Sequence, residues 1–108
     1  APRLEHERLA FHAVDLADSA AAAKAATEIA ERYPVRYLVN NAGVNRPGFL
    51  DQVTVEDLDA AYAVNVRAAM ILVRAFAPAM RAAGFGRIVN ISSRAIKGKT
   101  GRNAYAAA

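Results

Sequence analysis

The 108 residues are 55% apolar and 22% charged, the composition of one small globular domain and not of a disordered chain. The absence of cysteine excludes disulfides and thiolate metal centres; the uninterrupted apolar runs fall far short of a membrane span, and no charged-then-apolar leader opens the chain. The net charge of +4 is uneven, with all ten acids and six bases in residues 1–60 and eight bases without an acid in residues 61–108. These bases are spread over predicted helix faces and one loop with no stacking aromatics among them, which argues against a nucleic-acid partner. A soluble, cytoplasmic protein with no membrane partner and no metal site is therefore expected.

In chain order, Leu9 to Val14 is a mostly apolar run of six, read as a buried strand that ends at Asp15 and Leu16. Asp18 or Ser19 then caps a helix, because its side-chain oxygen can accept first-turn amides. That helix runs to about Tyr33 and is stopped by Pro34. Val35 to Val39 is a second short strand, followed by Asn40-Asn41-Ala42-Gly43 and an irregular stretch holding Pro47 and Gly48.

Thr54 opens the longest helix, with Asp57 three positions on in a capping-box arrangement. Residues 58, 62, 66, 70 and 73 form an apolar stripe at helical spacing, and Pro78 is expected to kink the helix or end it early. Gly84 and Gly86 lead to a third strand, Ile88 to Ile91, which ends on Ser92 and Ser93. Past a basic loop, Tyr105 begins an alanine-rich helical pattern. Alanine fills 27 positions, which suits close helix packing. Strands alternating with helices predict an α/β fold with a parallel sheet joined by right-handed crossovers and helices on both faces. Three strands leave both edges open, and the chain stops inside a helical pattern, so a piece of something longer is expected.

Several residues along this order could do chemistry. Asn41, Ala42 and Gly43 follow a strand's carboxyl end, where asparagine tolerates tight turns and glycine admits a ligand close to the backbone; an ordinary strand-to-loop turn is the other reading. Asn65 interrupts an apolar, alanine-rich helix at a cost in propensity. It could hold a water or a local break in the helix ladder beside a site, or simply face solvent. Asp15 could accept from the amino group of a bound base, or be a surface acid before a helix.

Taken together, Asn-Asn-Ala-Gly after a strand, the helical Asn65, Ile-Ser-Ser and a tyrosine followed by small residues resemble the short-chain dehydrogenase/reductase family, and members such as 3-oxoacyl-carrier-protein reductases in particular. The separations of 25 positions from Asn40 to Asn65 and 28 from Asn65 to Ser93 are similar to those of the family. The resemblance implies an incomplete three-layer, Rossmann-like doubly wound parallel sheet, residues 1–108 being one partial dinucleotide-binding domain. It implies an oxidoreductase that uses NAD(P)(H), with NADP slightly favoured, to interconvert a hydroxyl and a carbonyl. By the same resemblance Tyr105 is the acid/base, Ser93 polarises the substrate, and Asn65 supports a proton-relay water. Asn41, Ala42, Gly43 and Tyr105 line the cofactor, and Asp15 and Leu16 meet its adenine. A homodimer or homotetramer is implied as well.

The chain departs from the family pattern in three places. A free tyrosine titrates near about 10 and needs a neighbouring positive charge to act as a base at neutral pH; the family's lysine would fall at position 109. The glycine-rich phosphate turn would lie before residue 1. Ser93 and Tyr105 are 12 positions apart, one fewer than usual, which leaves Ser92 as an alternative to Ser93. The isolated segment is accordingly expected to be inactive, and a non-catalytic remnant or oligomerisation module is the competing reading. Arg94, Lys97, Lys99 and Arg102 would favour an anionic substrate such as an acyl thioester, unless they form only a solvated basic loop.

Overall fold

A computed structural model of the chain describes residues 7–43 and 51–91. The element order is α1 (Ser19–Arg32), β1 (Tyr37–Asn40), α2 (Val55–Tyr62), a π-turn (Ala63–Arg67), α3 (Ala68–Ala83) and β2 (Arg87–Asn90). Ser92, Ser93 and Tyr105 lie outside the described residues.

Local chemistry sets the helix ends. The Asp18 carboxylate accepts from the Ala21 amide at 3.1 Å and starts α1. At the head of α2 the Thr54 hydroxyl accepts from the Asp57 amide while the Asp57 carboxylate accepts from the Thr54 amide, both at 3.1 Å. This reciprocal box satisfies two amides that the helix itself cannot. Gly84 closes α3 at φ 69°, a left-handed conformation that costs glycine nothing. Gly84 and Phe85 return their amides to the carbonyls of Arg81 and Met80, completing a Schellman end.

β1 and β2 pair in parallel with Leu38 opposite Ile88 and Asn40 opposite Asn90. Alternation along the strand turns Leu38 to one side and Tyr37 and Val39 to the other. Leu38 packs with Ala26 of α1 and with Phe76 and Met80 of α3, so both long helices cover the same face. The opposite face is bare among the described residues, with Tyr37 68% and Val39 58% exposed. The described part is thus an incomplete α/β piece, a strand layer carrying one helical layer. Buried alanines, among them Ala22, Ala26, Ala61 and Ala68, let α1 and the long helix approach closely.

Two sequence expectations, a strand at Leu9–Val14 and an early helix end at Pro78, do not hold. Leu9–Val14 forms no strand; Leu9 and Phe11 are 51% and 63% exposed. An apolar run becomes a strand only beside an edge that offers hydrogen-bond partners, and among the described residues β1 and β2 pair only with each other. Pro78 does not end the helix early: α3 continues to Ala83, with Pro78 exposed and Phe76 and Met80, two residues to either side, buried in the core. Within the stripe at 58, 62, 66, 70 and 73, Val73 packs against the core and Val66 is half-buried. Tyr62 and Met70 are half or more exposed, and the buried residues are Ala61, Ala63, Ala68, Phe76 and Met80. The π-turn adds a residue to the helical repeat, so one unbroken 3.6-residue phase does not describe the helix. The continuous helix, Val55–Ala83, has 29 residues and by length and composition could cross a bilayer. Its alanines raise the average apolarity without making an uninterrupted run, and its packing on α1 and Leu38 is that of a sheet-covering helix.

Candidate functional site

The carboxyl ends of β1 and β2, the turn at Leu16 and the π-turn enclose a cavity of about 620 Å³. Parallel strands leave a ligand crevice at this end of the sheet. Asn41, Ala42, Val64, Asn65 and Leu16 are in its wall.

The strands reach the cavity side by side through a polar pair. Asn40 and Asn90 face each other in register, and the Asn40 amide Nδ2 donates to Asn90 Oδ1 at 2.8 Å. The Ile91 amide continues the ladder onto the Asn40 carbonyl at 2.9 Å. Asn40 Oδ1 is buried and has no hydrogen-bond partner among the described residues. A buried amide oxygen prefers a donor, and Asn40 is among the residues that line the cavity.

Across the cavity stands Asn65 in the middle of the π-turn, Ala63–Arg67. An i→i+5 turn loosens the regular amide-to-carbonyl ladder and is characteristic of functional positions in helices. The break in the ladder read from Asn65 is therefore present, with Asn65 half-buried and not in open solvent. A Cβ placed on Gly43 would lie 3.3 Å from Asn65 Oδ1, so the loop after β1 closes on this amide because residue 43 has no side chain. Gly43→Ala is expected to cost about 1 kcal/mol by overpacking, and the cost should vanish in an Asn65→Ala background. Urea unfolding of the two single variants and the double measures that coupling; additive losses would show that Gly43 is needed for another reason.

Asp15 does not line the cavity. Its Oδ1 accepts from the Ala17 amide at 2.9 Å, its carbonyl accepts from the Asp18 amide at 3.1 Å, and the resulting turn presents Leu16 to the cavity. The structure thus brings together Leu16, Asn41, Ala42 and Asn65 around one space, with Gly43 close against Asn65 and Asp15 shaping the turn at Leu16. Asn40 was read in the sequence only as the start of the Asn-Asn-Ala-Gly motif, and Asn90 and Arg67 were not singled out. The two asparagines had a readable signal, since Leu-Val-Asn and Ile-Val-Asn end both strands alike. Arg67 had none.

Residues 2–108 match the short chain dehydrogenase family. The chain belongs to that family. Among solved structures, it is similar to a metagenomic short-chain oxidoreductase in complex with NADP, at 45% identity and a TM-score of 0.79, covering 89% of this chain and 45% of the other. It is also similar to a 3-oxoacyl (acyl-carrier-protein) reductase from Agrobacterium tumefaciens with NADP bound, at 31% identity and a TM-score of 0.79, covering 86% and 36%. The acetoacetyl-CoA reductase of Rhizobium meliloti is 40% identical over 76 residues, which are 69% of this chain and 32% of that enzyme. The chain spans about a third of the length of the curated relatives it matches.

Proposed function

We propose that the complete protein is an NAD(P)-dependent oxidoreductase interconverting a hydroxyl and a carbonyl, and that this segment supplies its cofactor-facing loops and part of its proton relay. The observation that carries the proposal is the π-turn at Asn65 opposite the Asn41–Gly43 loop, at the carboxyl end of a parallel sheet. The fit to a dinucleotide rests on this chain's own features. The cavity of about 620 Å³ has the size of a cofactor site, Asn41 and Ala42 line it at the carboxyl end of β1, and the neighbouring Gly43 lets that loop close on Asn65.

When bound, the nicotinamide supplies or takes the hydride. The chain does the rest. Asn41, Ala42 and Gly43 line the cofactor, while the Asp15–Leu16 turn receives its adenine. Ser93 polarises the substrate oxygen, Tyr105 gives or takes the proton, and Asn65 in its loosened turn supports the water that carries the proton onward. NADP is favoured over NAD, supported by the NADP in both solved relatives named above. An acyl thioester is the favoured substrate class, supported by similarity to the acetoacetyl-CoA and 3-oxoacyl reductases and by the bases Arg94, Lys97, Lys99 and Arg102. The apolar residues left exposed on the long helix, Tyr62 and Met70 among them, favour assembly as a dimer or tetramer over a monomer.

Titrating the complete protein with NADPH and with NADH, followed by nicotinamide fluorescence, tests the cofactor. Binding of both, tighter for NADPH, is expected; binding of neither contradicts the proposal.

A further inference from the structure

We propose that Arg67 is a positioning residue for the nucleotide, a clamp that ties the Asp15–Leu16 turn to the π-turn; this rests on the oxidoreductase reading above. The Arg67 guanidinium Nη2 donates to the Ala17 carbonyl at 2.7 Å, across 50 positions of sequence. A bond this short from a charged donor belongs to the stronger class of protein hydrogen bonds.

Both ends of the clamp are held in place by other contacts. Ala17 sits in a turn already closed by the Asp15 carboxylate and the Asp15 carbonyl, so the Arg67 bond holds a shaped turn and not a loose chain. Arg67 is followed at once by Ala68, 1% exposed in the core, and it ends the π-turn that carries Asn65. Leu16, between the two tied residues, is in the cavity wall, as is Asn65. The π-turn therefore meets both loops of the cavity, lying close against Gly43 on one side and bonded to Ala17 through Arg67 on the other. The loss of Arg67 frees the adenine-side turn and leaves the catalytic side in place.

The test compares Arg67→Met and Arg67→Lys in the complete protein. Hydrogen exchange of the Ala17 and Asp18 amides should quicken roughly tenfold in Arg67→Met, with the interior of α1 unchanged, since local opening is set by local contacts. The Kd for NADPH and for ADP-ribose should rise roughly five- to tenfold, the size of one such hydrogen bond near the surface, with kcat within about twofold. Arg67→Lys, which keeps a charged donor of different shape, should recover most of both effects. Unchanged exchange at residues 17 and 18 overturns the clamp, whatever the protein binds. Faster exchange in a protein that binds no NADPH keeps the clamp but overturns its nucleotide role together with the oxidoreductase reading. A fall in kcat larger than the rise in Kd places Arg67 in the catalytic relay and overturns the positioning role.

Discussion

Tyr105→Phe in the complete protein should lower kcat by roughly a thousandfold, the scale of one positioned acid or base, and leave the Kd for NADPH within about twofold. The substitution removes a single oxygen, the proton carrier in the proposed mechanism, and keeps the aromatic ring. A phenylalanine cannot exchange a proton with a carbonyl or hydroxyl, so the chemical step is lost and the binding step is not. Steady-state kinetics together with a fluorescence titration separate the two. A kcat within tenfold of the parent would remove Tyr105 from the proton step. Loss of NADPH binding with kcat unaffected at saturation would make the residue structural.

The second large effect concerns stability. Phe76 is 5% exposed and packs with Ala26, Leu38 and Met80 at the junction of α1, α3 and β1. Phe76→Ala should destabilise the protein by about 3–5 kcal/mol. The upper part of that range is expected because Ala22 and Ala26 have no side chain that can swing into the space left behind. Set against a typical domain stability of about 5–15 kcal/mol, this is close to the loss of the fold. Phe76→Leu, which keeps most of the volume, should cost about 1–2 kcal/mol. Urea denaturation with an unchanged slope measures both. A loss below about 1 kcal/mol for Phe76→Ala would mean that the junction is not the core.

What was legible in the sequence was what short-range chemistry decides. Asp18, Thr54 with Asp57, and Gly84 mark helix ends because each acts on amides or carbonyls within a few positions. Asn65 was legible as a defect, a costly residue in an alanine-rich helix, and the defect is a π-turn. Leu9–Val14 misled because strand pairing depends on an edge elsewhere in the fold, which apolarity alone does not report. The apolar stripe did not by itself report which residues are buried: the π-turn changes the helical phase, and close approach of α1 selects small alanines for the interface over the larger Tyr62 and Met70. Arg67 was invisible because its partner lies 50 positions away and is a backbone oxygen, for which no residue type is a signal. Family membership was legible from joint spacing, Asn40 to Asn65 to Ser93, because several motifs at matching separations are far more specific than any one of them.

Hydride transfer itself is the most direct test of the account. Mixing the complete protein with NADPH and acetoacetyl-CoA and following the nicotinamide absorbance should show one NADPH consumed for each hydroxyacyl product formed, and almost no consumption with Tyr105→Phe. An absorbance that stays constant across 3-oxoacyl thioesters and simpler carbonyl compounds, or one that falls equally fast with Tyr105→Phe, would contradict an oxidoreductase built on these residues.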